Sequence, residues 1–129
     1  MGELSGKQRA LLTGTNFYTL STIGKDGAPR STTLWGDLEG DDITVNSVEG
    51  RGWLANIRRE PRVAVAVHAE GNAYDQVSVR GHVVGETTEG ALGHIDALSR
   101  KFTGKDYQPR DQARVKVRIA IDHARSWGD

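Results

Sequence analysis

The chain has 129 residues, with 17 lysines and arginines against 17 aspartates and glutamates and no cysteine. That length suits one domain, 1–129, and the balanced charge argues against an electrostatic nucleic-acid partner. Without cysteine there is no disulfide, thiolate nucleophile, Fe–S cluster or Cys-type zinc site. No apolar run reaches the roughly 18 residues of a membrane helix, and Met1 to Lys7 lacks the apolar stretch of a signal peptide, so the expectation is a cytoplasmic protein with no membrane partner.

Ser5 to Leu12 reads as a short helix with Ser5 as N-cap, closed by Thr13-Gly14. Phe17 to Ile23 is rich in aromatic and β-branched residues, and Lys25-Asp26-Gly27 supplies a tight turn, so Arg30 to Leu38 should be the return strand. After the acidic turn Glu39-Gly40-Asp41-Asp42, alternation predicts a third strand over Ile43 to Val48. From Gly50 the period changes: Trp53, Leu54 and Ile57 fall at helical spacing until Glu60-Pro61 stops the run. Val63 to Val67 and Val77 to Val83 alternate as strands, Leu92, Ile95, Leu98 and Phe102 form a helical stripe, and Val115 to Ile121 is a strictly alternating last strand. Six strands with two or three helices and mostly hairpin connections imply an antiparallel barrel or a strongly curled sheet, mainly β with flanking helices.

Few residues carry chemistry by spacing alone. His68, His82, His94 and His123 lie on separate elements, which predicts no metal site. The carboxylates Asp37, Glu39, Asp41 and Asp42 fall in or beside turns, where solubility and turn chemistry account for them. There is no phosphate-binding P-loop, no dinucleotide fingerprint and no nucleophile elbow. One stretch remains, Asn46 to Arg62: a strand ends in amide and hydroxyl groups, a glycine-flanked loop opens a helix N-terminus, and arginines surround it. That combination suits a phosphate, although Arg58 and Arg59 also fit a solvated helix face and Trp53 a core residue.

The order of these motifs resembles the split β-barrel flavin-binding superfamily related to pyridoxamine-phosphate oxidase, and within it the actinobacterial branch of reductases dependent on the deazaflavin coenzyme F420. The similarity runs almost end to end. It rests on Leu20-Ser21-Thr22 followed by Asp26 to Arg30, on Thr32-Thr33-Leu34-Trp35 with Asp37, on Asn46-Ser47 with Gly50-Arg51, and on Asn56 to Val63; downstream, Tyr74 with Val77 to Gly81 and the helix Ala91 to Phe102 continue it.

The resemblance implies a six-stranded antiparallel split β-barrel and a homodimer with two symmetric cofactor grooves. Thr32, Thr33, Leu34 and Trp35 would line the ring with backbone groups, Asn46 and Ser47 would meet the ribityl chain, and Arg51, Gly52, Trp53 and Asn56 would hold the phosphate and tail. Asn72 and Tyr74, in the loop before the fifth strand, would come from the other subunit. Many relatives carry a lysine where Trp53 stands, so one phosphate cation is lost. The implied activity is hydride transfer from reduced F420 to a small planar organic acceptor such as an enone, a quinone or a tetrapyrrole, with no side chain required as a strong base. The alternatives are an FMN-dependent oxidoreductase resembling pyridoxamine-phosphate oxidase, or a carrier that binds F420 or haem without turnover.

Overall fold

Alternating apolar residues build seven strands, and three short amphipathic helices cover what the strands leave open. The computed structural model describes residues 3–128. In chain order the elements are α1 (Gly6–Thr13), β1 (Tyr18–Ile23), β2 (Pro29–Leu34), β3 (Gly36–Glu39), β4 (Asp42–Val48), α2 (Gly52–Arg59), β5 (Arg62–Ala69), β6 (Asn72–Thr87), α3 (Ala91–Thr103) and β7 (Arg114–Ser126). All strands join one antiparallel sheet in the order β2-β1-β5-β6-β7-β4-β3. No helix of the described residues is long and apolar enough to cross a membrane.

The expected strand from Arg30 to Leu38 is in fact two, so the sheet has seven strands rather than six. β2 pairs with β1 at one edge of the sheet, β3 pairs with β4 at the other, and the single residue Trp35 lies between them. Consecutive strands at opposite ends of the sheet order require the sheet to curl until its edges approach. The crossing depends on Gly36, because a Cβ there would overlap the ring of Tyr18. Tyr18 is fully buried, and its hydroxyl donates to the carbonyl of Leu12 at 2.7 Å, which ties α1 to the same corner. From α3, Lys101 Nζ donates to the Gly36 carbonyl at 2.9 Å and meets Asp37 at 3.2 Å.

Leu20, Ile43, Val45, Val65, Val77, Val79, Val117 and Ile119 fill the interior of the curl, with Leu11 and Leu12 of α1 and Leu54 and Ile57 of α2 closing it. β6 and β7 extend well beyond the predicted Val77 to Val83 and Val115 to Ile121, because their polar ends are paired too. Gly81 lets β6 and β7 approach at a shift in register, since a Cβ there would strike the Ala120 carbonyl oxygen. α1 carries the expected cap: Ser5 Oγ accepts from Gln8 N–H and Gln8 Oε1 accepts from Ser5 N–H.

Gly36→Ala is expected to lower stability by about 1–3 kcal/mol, the usual cost of forcing extra volume into a packed site. Gly93→Ala, in α3 with open space where its Cβ would stand, should instead raise stability by up to about 1 kcal/mol through helix propensity. Urea unfolding of the two variants beside the parent checks both signs; equal effects would mean the Tyr18 contact does not constrain the corner.

Candidate functional site

Two adjoining cavities flank the corner at Trp35. The first, about 250 Å³, is lined by Thr32, Thr33 and Leu34 at the end of β2 and Trp35 just after it, by Asn46 and Ser47 on β4, by Arg51 and Trp53, and by Phe17, Ile95, Leu98, Tyr107 and Arg114. The second, about 460 Å³, is lined by Thr22, Gly24, Lys25, Arg30, Ser31, Thr32, Arg51, Gly52, Trp53 and Asn56. Thr32, Arg51 and Trp53 face both, so the two form one bent groove. Ten of the twelve sequence-predicted residues therefore lie along it, eight in the first cavity and Gly52 and Asn56 in the second.

Asn72 and Tyr74 do not lie along it. Both belong to the start of β6 rather than to a loop, and Tyr74 is 68% exposed, with its ring edge-on to Trp127 at 5.4 Å between centroids. The expected loop is absent because Asn72 pairs with Ala69 directly across the turn.

Trp35 is partly buried outside the barrel interior. It stacks on Phe102 at 5.5 Å and meets the edge of Tyr107 at 6.1 Å, so it forms a wall between the sheet and α3. Trp53 packs its body on the core while bordering both cavities. Gly52 opens α2 with no side chain capping the helix, and no atom lies within 4 Å of where its Cβ would stand. Its neighbourhood offers free backbone N–H groups beside Arg51.

The arginines of the Asn46 to Arg62 stretch are sorted by their partners. Arg58 is neutralised by Glu49 and Glu86, each at 2.6 Å, and Arg62 by Glu60 at 2.9 Å. Arg59 donates to Asn56 Oδ1 at 2.8 Å, and Asn56 Nδ2 donates to Thr22 Oγ1 at 3.0 Å, so the Asn56 amide is largely engaged within the chain. Arg51 forms no ion pair among the described residues and is exposed at the junction of the cavities. Neither cavity is lined by an aspartate or glutamate.

Asn46 lines the first cavity and is also engaged within the chain. Its Nδ2 donates to the Ala91 carbonyl at 3.0 Å and to His94 Nδ1 at 2.9 Å, and its Oδ1 accepts from Arg114 Nη1 at 3.3 Å. The side chain thus fastens α3 to β4 and β7 and leaves little for a polyol chain. Ser47 Oγ, in contrast, is buried without a hydrogen-bond partner. Burial, reinforced by the Lys116 ammonium, pushes His94 down to about 4, so its ring is neutral and its Nδ1 is free to accept from Asn46.

Sequence reasoning missed Tyr107 and Arg114. Arg114 is 9% exposed, its guanidinium carbon lies 4.3 Å from the centre of the Tyr107 ring, and its Nη2 donates to Gln112 Oε1 at 2.6 Å. The loop carrying Tyr107 is anchored by Asp96, which accepts both Arg110 nitrogens at 2.9 and 3.0 Å and the Tyr107 N–H at 2.9 Å. Those donors hold the Asp96 carboxyl down at about 2. The only sequence signal was an arginine directly before the alternating strand.

A family model described as pyridoxamine 5'-phosphate oxidase matches residues 4–128, and the chain belongs to that family. An F420 reductase superposes with a TM-score of 0.86 at 22% identity, over 95% of this chain and 98% of that one. The conserved hypothetical protein Rv2991 from Mycobacterium tuberculosis gives 0.77 at 26% identity, over 97% and 85%. Group A Streptococcus HupZ gives 0.69 at 14% identity, over 95% and 92%. No curated protein matches the sequence.

His94 yields a pH dependence with a defined sign. Its folded value of about 4 lies below the unfolded value near 6.5, so its contribution is complete above pH 6.5 and is lost as the pH falls toward 4. Between pH 7 and pH 5 the chain should lose about 1–2 kcal/mol through this group, before the carboxylates titrate. Urea midpoints at the two pH values, compared with His94→Gln, measure it; an equal loss in the variant would assign the effect elsewhere.

Proposed function

We propose that this member of the pyridoxamine 5'-phosphate oxidase family is an oxidoreductase that binds reduced coenzyme F420 along the bent groove and reduces a flat conjugated acceptor. The observation that carries the reading is the groove itself. A wall of strand backbone at Thr32 to Leu34 runs into a glycine-opened helix start, with Lys25, Arg51 and the Asp26-paired Arg30 at its mouth and no carboxylate among its lining residues. Such a surface fits a planar heterocycle at one end and a phosphate at the other.

The residues present fit a flavin-type group. Ser47 Oγ is a buried polar atom without a partner, suited to a hydroxyl or carbonyl of the bound molecule. Arg51 and the first N–H groups of α2 would hold the phosphate, and Trp35 would flank the ring from the α3 side. Asn46 and Asn56 shape the groove through the hydrogen bonds they make within the chain. When bound, the reduced deazaflavin supplies a hydride by two-electron chemistry. The chain's own task is to align the acceptor and exclude water. The groove holds no paired acid and base, in keeping with a reaction that leaves bond making to the cofactor.

We place the chain in a homodimer in which Asn72 and Tyr74 of the β5–β6 hairpin reach the groove of the opposite subunit, since Tyr74 is exposed and remote from the groove of its own chain. FMN is the competing cofactor, because Trp53 supplies no cation for a long anionic tail.

A side-by-side titration with F420 and FMN, read by tryptophan fluorescence, tests the proposal because Trp35 and Trp53 both border the groove. Selective quenching by F420 is expected. Preference for FMN would replace the cofactor, and binding of neither would remove the function. Gly52→Val should fold normally, given the open space at its Cβ, yet weaken cofactor binding by about tenfold or more, equivalent to about 1.4 kcal/mol. An unchanged dissociation constant would displace the phosphate from this end of the groove.

A further inference from the structure

The cavity against α3 contains an arginine that the chain does not neutralise. Arg114 is nine-tenths buried, and among the described residues it forms no ion pair. Its partners are neutral: Asn46 Oδ1 at 3.3 Å, Gln112 Oε1 at 2.6 Å and the face of Tyr107 at 4.3 Å. Its Nε is buried with no hydrogen-bond partner, and so is Ser47 Oγ, which lines the same cavity. Buried guanidinium groups are ordinarily matched by carboxylates, since an unmatched charge in a poorly solvated site is costly. A few residues earlier the buried Asp96 is matched in this way, by a two-pronged pairing with the exposed Arg110. Arg114 departs from this pattern in a cavity without a single acidic lining residue.

We propose that Arg114 makes the inner end of this cavity a carboxylate-binding subsite, so that the acceptor reduced here is an organic acid. The guanidinium fork matches a planar carboxylate, and the two donors already in use leave Nε–H and others unspent. Asn46, Gln112 and Tyr107 fix the plane of the fork in advance, which lowers the ordering cost of binding. Beside it, Ile95 and Leu98 offer an apolar surface for the flat body of such an acid. Arg114 does not border the second cavity, so it is separate from the end assigned to the phosphate. The inference rests on the redox reading for the word acceptor; the anion subsite itself rests on Arg114.

The test compares benzoate with benzamide, two flat molecules of nearly equal shape that differ in charge. Binding is followed by NMR at the indole signals of Trp35 and Trp53, first in the cofactor-free chain and then with F420 or FMN at saturation. Benzoate should bind about tenfold or more tightly than benzamide, and Arg114→Gln should bring the two within about twofold of each other. Arg114→Lys, which retains the charge without the fork, should fall between. Equal affinities in the parent chain, or a preference that survives Arg114→Gln, would overturn the subsite; if Arg114→Gln does not fold, the parent comparison and Arg114→Lys decide. A benzoate preference that persists with cofactor bound supports the acceptor assignment, whereas its loss on cofactor binding would give Arg114 to the cofactor and overturn it. Failure of both cofactors to bind, with the benzoate preference intact, would remove the redox reading and leave the carboxylate subsite standing.

Discussion

The contact between the Tyr18 ring and Gly36 governs the rest of the molecule. The chain must pass from one edge of the sheet to the other within a single residue, and it can do so only where the backbone lies against the buried ring. Burial pushes the Tyr18 phenol up, beyond its ordinary range, so it remains a hydrogen-bond donor to Leu12 at any ordinary pH. The ring and hydroxyl thus hold α1, β1 and the crossing together. With Gly36 pressed inward, the bulk of Trp35 is placed against Phe102 of α3, and Lys101 of the same helix reaches the Gly36 carbonyl. The groove wall is a consequence of how the sheet closes.

A formal charge of zero conceals a local excess of positive charge. Five carboxylates are committed to cations that do not line the groove: Glu49 and Glu86 to Arg58, Glu39 to Lys116 and Arg118, Asp42 to Arg118, and Asp96 to Arg110. These pairs are mostly exposed and contribute little stability individually. Their larger effect is on distribution, because Arg51 and Arg114 are left facing a groove with no acidic lining. Net charge is therefore silent about a small anion met by two side chains.

The strands and helices were legible because alternation and helical spacing report directly on which face is buried. β1, β4, β5 and β7 keep the apolar positions in the interior that their patterns indicate. The division of Arg30 to Leu38 was not legible, since alternation continues through Trp35 and the reason for the break is a tyrosine far earlier in the chain. The clustering of Thr32 to Trp35 with Arg51 to Trp53 followed from motif order. The tie that Asn46 makes to Ala91 and His94, 45 and 48 residues later, did not, because nothing local to Asn46 marks it. Arg114 was hidden for a related reason: an arginine before an exposed-looking strand edge resembles a solvated residue until α3 and the Tyr107 loop cover it.

Asn46 connects these observations. Its donors hold the end of α3 nearest β4, and its acceptor holds the guanidinium of Arg114, so the seating of the helix and the orientation of the buried cation are one hydrogen-bonded arrangement. That arrangement requires a neutral His94, which burial provides. Asp96 performs the corresponding task farther along α3, fixing the loop on which Tyr107 lies beneath Arg114. The inner wall of the groove is consequently held from two points on a single helix, although His94 Nε2, on the far side of the ring from Asn46, is buried without a partner. Of the residues with a buried, unpartnered polar atom, Arg114 and Ser47 line the cavity. These hydrogen bonds orient the polar groups of the wall before anything enters, which lowers the ordering cost of binding.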